Sequence, residues 1–119
     1  MSATVPALTD TDAATAELVP GAVKPNPTWG EPTESALVLH ANGVFETGIW
    51  ECTPGSWPSA RDGYEEVCTY LSGAGVVTDA DGTEHVIAPG VTMVFRDGWR
   101  GSWTLTETTR KVYSIYRLG

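Results

Sequence analysis

A chain of 119 residues suits a single domain. Its formal net charge of −8 excludes the classes that need a cationic face, nucleic-acid binding and docking on anionic lipid, because both require Lys and Arg to replace counterions. Thirteen glycines, eight prolines and five tryptophans imply many turns around an aromatic interior, the make-up of an all-β domain.

Residues 1–34 differ from the rest, being rich in Ala, Thr, Pro and Asp. They read as an N-terminal arm, partly mobile. Asp10 to Val19 is expected as a short helix, with Asp10 or Thr11 as its N-cap and Pro20-Gly21 as its stop. Lys24-Pro25-Asn26-Pro27 breaks regular structure, and Trp29 is the residue expected to pin the arm to the domain. No Lys or Arg precedes Lys24 and no apolar stretch follows Met1, so no secretory signal is expected. No apolar run approaches the length of a bilayer crossing. Cys52 and Cys68 are then expected as free thiols of a cytoplasmic protein.

The domain proper, residues 35–119, alternates polar and apolar residues with β-branched enrichment. Strands are expected at Ala36–His40, Val44–Cys52, Glu65–Leu71, Gly75–Thr78, Glu84–Ile87, Thr92–Phe95, Gly101–Glu107 and Arg110–Leu118. Asn42-Gly43, Pro54-Gly55, Asp62-Gly63, Asp81-Gly82, Pro89-Gly90 and Asp97-Gly98 supply the turns between them. Short strands at this spacing, with no long helical pattern, make a sandwich or barrel. Exposed sheet edges need cover, so a homodimer formed through an edge strand or the arm is expected.

Four motifs in order carry a resemblance. They are Gly48-Ile49-Trp50-Glu51-Cys52-Thr53-Pro54-Gly55, Glu66-Val67-Cys68 leading to Gly73, Asp97-Gly98-Trp99-Arg100-Gly101-Ser102-Trp103, and Arg110-Lys111-Val112-Tyr113. The chain from Gly48 onward resembles the small cupins grouped with the ureidoglycine aminohydrolase cupin domain and the ethanolamine-utilisation cupins. The resemblance implies a cupin double-stranded β-helix, that is a jelly-roll barrel, with an N-terminal arm. Cupins usually hold a metal with three histidines and a glutamate. Glu66 matches the glutamate, but the paired histidine positions fall among Ser59, Ala60, Arg61 and Asp62, and the third falls at Gly101. One carboxylate, even with Asp62 nearby, is a poor ligand set for a transition metal, so no standard cupin metal site is expected. A site built from Cys52, Cys68, Glu66 and Asp62 matches no strong metal spacing either.

Alternation sorts the remaining candidates by face. If Glu66 points inward, so do Tyr64, Cys68 and Tyr70. Gly101, Trp103 and Leu105 share the inner face of their strand, and Trp50 lies with Cys52 and opposite Glu51. The family's Lys-x-Tyr places Lys111, Tyr113 and Ile115 inward. Glu66 is the candidate acid or base, since a carboxylate among aromatics loses hydration and its pKa rises. The competing reading is a buried glutamate satisfied by Lys111 or a tyrosine hydroxyl. Lys111 orients an anionic substrate, pairs with Glu66, or is a solvated lysine. Tyr64, Tyr70, Trp50, Trp103 and Tyr113 line a ligand pocket or pack the core. Cys68 needs a positive neighbour to act as a nucleophile and otherwise serves as a small apolar residue. His40 and His85 are expected on the surface; Arg61 and Arg100 flank the barrel mouth or pair with surface acids. Two functions remain open. One is an enzyme acting on a small polar metabolite through Glu66, with Lys111 and tyrosines orienting it. The other is a non-catalytic binding or accessory cupin without a metal.

Overall fold

The structure is a computed structural model that describes residues 6–119; the first five residues of the arm lie outside them. Nine strands run in chain order: β1 (Val19–Val23), β2 (Trp29–Gly30), β3 (Thr33–Ala41), β4 (Phe45–Cys52), β5 (Gly55–Ala60), β6 (Tyr64–Asp79), β7 (Glu84–Ile87), β8 (Thr92–Phe95) and β9 (Arg100–Arg117). All pairings are antiparallel. No helix of the described residues is long and apolar enough to cross a membrane.

Two long strands organise the fold. The second half of β9 pairs with β4 on one side and with the first half of β6 on the other. Its first half pairs with β5 and with the second half of β6. The outer edge of β6 takes β8 and then β7. One continuous sheet thus curls into two facing layers, the jelly-roll half-barrel of the cupin type, with an added strand arm. The curl has a local cause. The β6–β9 register shifts between Tyr70 and Gly75, and Gly73 adopts φ +108°, where a side chain would meet both the side chain and the backbone of Thr109. Only glycine fits that corner.

Four expected strands therefore become two: Glu65–Leu71 joins Gly75–Thr78 as β6, and Gly101–Glu107 joins Arg110–Leu118 as β9. β5 was not expected, because Pro58 and the preceding Pro54-Gly55 read as loop. Pro58 is exposed and pairs only with Ser102, beyond the reach of β2, so its missing N–H faces an open edge.

The expected helix at Asp10–Val19 is absent. A single turn forms instead, with Ala16 N–H donating to the Asp12 carbonyl at 2.9 Å and Ala14 N–H donating to the Asp12 carboxylate at 3.1 Å. Arg110 ends it by taking the carbonyls of Ala13 and Ala16, both at 3.0 Å. These are acceptors that a continuing helix needs for its own N–H groups. The chain then runs extended into β1, which pairs with β3 of the same molecule. Trp29 does not anchor the arm through its ring, which is 54% exposed; its backbone pairs with Ser56. Pro32 is the buried anchor, seated on Gly55, where any Cβ would collide with the proline ring.

The core fills one end of the half-barrel. Cys52, Cys68, Tyr70, Val77, Ile87, Phe95, Trp103 and Leu105 are all nearly inaccessible there. Trp103 is its centre, stacked on Trp57 (5.9 Å, 10°) and Phe95 (5.7 Å, 20°) and met at steeper angles by Trp50 and Tyr70. The other end of the half-barrel is open.

Candidate functional site

The open end holds a cavity of about 220 Å3. Its floor is the Trp50–Trp57–Trp103 cluster, and its walls carry Tyr64, Tyr113 and Ile115 with six charged groups: Lys24, Glu34, Glu46, Arg61, Glu66 and Lys111.

Glu66 is 4% exposed and faces inward from β6. Its Oε2 accepts from Lys111 Nζ at 2.7 Å. Its Oε1 accepts from Arg61 Nε at 3.1 Å, with Nη2 3.0 Å away. Burial pushes the carboxyl up, but Lys111 and then Arg61 outweigh it and hold the group below its usual value. The raised pKa expected of an acid or base at Glu66 is therefore corrected. The carboxylate stays ionised with both oxygens engaged.

The two cations are as firmly held as the carboxylate between them. Lys111 lies on β9 opposite Trp50 of β4 and Tyr70 of β6. Its Nζ sits 4.6 Å from the ring centres of both Trp50 and Trp103, so two aromatic faces complete its surroundings. Arg61 lies in the short turn between β5 and β6. Its N–H donates to Trp99 O at 2.9 Å, and its carbonyl accepts from Gly98 N–H at 2.7 Å, which locks it to the Asp97–Trp99 turn. The guanidinium lies 4.7 Å from the Phe95 ring centre and donates through Nη1 to Ser59 Oγ and Ala60 O. Only 7% exposed, Arg61 is no mouth residue in the sense expected from sequence.

Other contacts occupy the places where the histidines would fall. Arg61, one of the four residues among which the paired histidines would fall, carries a permanent cation to Glu66. At Gly101 a Cβ would collide with the backbone carbonyl of Thr78 and lie 2.6 Å from Trp99 Cζ2, so no side chain fits there. The residues do not fit a metal ion. Both Glu66 oxygens already accept from cations, whose charges would repel a dication. Among the described residues, no three His, Cys, Asp or Glu side chains converge as a ligand set.

The structure brings Trp50, Tyr64, Glu66, Trp103, Lys111 and Tyr113 together on the cavity wall. Cys68 and Tyr70 share their inward face but lie deeper in the core, where Tyr70 Oη donates to Met93 Sδ at 3.2 Å. Burial raises the Cys68 thiol, and it pushes Cys52 up to about 12. Both thiols are buried, unpaired in any disulfide and protonated at neutral pH. His40 and His85 are exposed, with His85 Nε2 2.9 Å from the Asp79 carboxylate. Arg100 pairs with Asp62 on the surface.

Sequence reasoning missed four members of the wall. Glu46 was legible, since it precedes Gly48 and Trp50 on the same face of β4. It accepts from Tyr113 Oη at 2.8 Å and from Arg117 at 3.1 Å. Gly48 makes room for that tyrosine, because a Cβ there would lie 2.8 Å from its hydroxyl. Burial, then Glu46, raises the Tyr113 phenol above its ordinary value. Trp57 went unread along with its strand. Lys24 and Glu34 come from the arm side: Glu34 Oε1 accepts from Lys24 Nζ at 3.1 Å and from Trp50 Nε1 at 2.7 Å. Nothing in the sequence pairs them.

Comparison with known proteins follows the fold. A DUF861-family protein of Pseudomonas syringae pv. tomato superposes with a TM-score of 0.78 at 22% identity, covering 87% of this chain. The chain spans under half of that protein, 46%. The EutQ protein of Clostridium difficile gives a TM-score of 0.63 at 15% identity over 72% of this chain and 69% of that one. A DUF861-family protein of Thermotoga maritima is 35% identical over 55% of this chain and 73% of its own, with a TM-score of 0.52. No curated protein sequence matches. The sequence matches the EutQ-like cupin domain over residues 39–113, more than half of the chain. The protein belongs to the EutQ-like cupin domain family.

Proposed function

We propose that this protein is a metal-free ligand-binding cupin, whose cavity recognises a small polar metabolite without turning it over through Glu66. One observation carries the reading: beneath an open aromatic cavity, Glu66, the residue that resembles the cupin metal-binding glutamate, is buried between Arg61 and Lys111. A general acid needs a proton at neutral pH, and a base needs a free oxygen lone pair aimed at substrate. Glu66 is ionised and so carries no proton to donate, and its carboxylate is neutralised by two cations that weaken it as a base. The Arg61–Glu66–Lys111 triad serves as a rigid wall. Ligand recognition falls to the indole and phenol faces and to the carboxylates nearer the opening.

The motifs' resemblance to the ureidoglycine aminohydrolase cupin domain makes amine-, ureido- and carboxylate-bearing compounds the first to test. Titrating such a panel while following tryptophan emission tests the reading, because three of the five tryptophans line the cavity. At least one class is expected to give a saturable change in the wild-type protein, with no product formed by it or by a folded Glu66→Gln. Flat traces throughout, or turnover that Glu66→Gln abolishes while the fold is kept, sink it. A homodimer in the cytoplasm belongs to the same proposal; its dimeric part is supported by the outer edges of β7 and β8, unpaired among the described residues, and by Val67 and Val94, exposed side by side across β6 and β8.

A further inference from the structure

We propose that the occupant of the cavity is a small organic ammonium ion, bound in the place taken by Lys24 Nζ, so that Lys24 acts as a built-in competitor. This rests on the binding-cavity reading and adds the charge of the ligand to it.

The cavity wall carries charges of both signs. There are three carboxylates, Glu34, Glu46 and Glu66, and three cations, Lys24, Arg61 and Lys111. Two of the cations are spent. Arg61 and Lys111 are 7% and 5% exposed and hold Glu66 between them. An incoming anion finds no free positive charge there and would have to displace a buried carboxylate. The third cation is of another kind. Lys24 stands in the segment between β1 and β2, on no strand, with its side chain 24% exposed. Its backbone is tied by one bond from its N–H to Pro32 O at 2.8 Å, and its four-carbon stem can swing out without moving a sheet.

What Lys24 touches describes the site it fills. Its ammonium lies 3.1 Å from Glu34 Oε1 and 5.7 Å from the centre of the Trp57 ring. A carboxylate beside an indole face is the chemistry that holds an alkylammonium. Glu34 is itself fixed by Trp50 Nε1 at 2.7 Å, and its Oε2 has no hydrogen bond among the described residues, which leaves an acceptor for a second N–H. With Lys24 turned out, Glu34 is the one carboxylate of the wall left without a cation, since Arg117 holds Glu46 while Arg61 and Lys111 hold Glu66. A protein of net charge −8 also draws cations toward it. The cavity of about 220 Å3 has room for a short alkylammonium.

Calorimetric titration of full-length protein with propylammonium, 1-propanol and propionate at constant ionic strength tests this. Lys24→Ala vacates the place, Lys24→Met removes only the charge, and a melting curve for each verifies the fold. Propylammonium is expected to bind both variants at least tenfold more tightly than wild type. Adding Glu34→Gln is expected to cancel that gain, and 1-propanol and propionate are expected to show no such gain. If propionate or 1-propanol binds as well as propylammonium, or if losing Lys24 leaves propylammonium binding unchanged, the ammonium assignment is overturned while the cavity remains a binding site. If the broader panel of acids, amines and ureides also fails to bind wild-type protein, the binding-cavity reading itself falls.

Discussion

Glu66 meets Lys111 at 2.7 Å and Arg61 at 3.0 Å with almost no access to water. Desolvating three charged groups is costly, and their mutual attraction offsets that cost only while all three are present. Glu66→Gln leaves two cations facing a neutral amide. The expected loss is about 3 kcal/mol in urea unfolding at neutral pH. The same group sets an acid limit. Its folded pKa lies below its ordinary value of 4.5, so its contribution is fully present above that value and is lost as pH falls through the folded one. Wild-type stability is therefore expected to drop steeply below about pH 4.5, and Glu66→Gln to drop less over the same range. Parallel curves for the two proteins would contradict this. Glu66, Lys111 and Tyr113 were legible through the resemblance, which matches Glu66 to the cupin glutamate and turns Lys-x-Tyr inward, while alternation only groups Lys111 with Tyr113. The engagement of Arg61 was not. It depends on the Asp97–Trp99 turn closing over a residue that lies between strands, where no periodicity applies.

At the scale of elements, the bend in β6 and the clamp on the arm carry the account. Gly73 is needed both for its φ of +108° and for its contact with Thr109. Gly82, in the turn between β6 and β7, has φ +91° and open space around it. Gly73→Ala is expected to cost at least about 2 kcal/mol, from backbone strain together with the clash. Gly82→Ala is expected to cost only about 1 kcal/mol, from the backbone alone. Chemical denaturation of the two variants checks the order, and equal losses would remove the corner from the argument. Arg110 binds Glu51 at 3.0 Å and the Ala13 and Ala16 carbonyls on the outer face of the sheet. Arg110→Met is expected to speed amide exchange across residues 12–23 and leave that of β6 unchanged. Turn dipeptides and alternation made most strands legible. The merging of strand pairs was hidden because glycine reads as a break, whether the chain ends a strand there or bends through it. The expected helix failed for a tertiary reason, since Arg110 lies far along the chain from the carbonyls it takes.

At the scale of the molecule, the half-barrel is divided between a packed end and an open one. Trp103 belongs to both, as the centre of the core and part of the cavity floor. The cupin fold and its vacant histidine positions could be read from four motifs in order. The pairing of Glu66 with Arg61 could not, since Arg61 reaches it from a turn. The wall nearest the opening draws on Lys24 and Glu34, so the arm helps to build the site as well as covering a sheet edge. A ligand that binds only the folded state raises the melting temperature by mass action, whatever chemistry it undergoes. The most direct measurement is the melting temperature of the purified protein in EDTA against the panel of small amines, ureides and acids. The account predicts a saturable rise with at least one class that EDTA does not abolish. No rise with any member in EDTA, together with a rise on adding manganese or zinc, would contradict it.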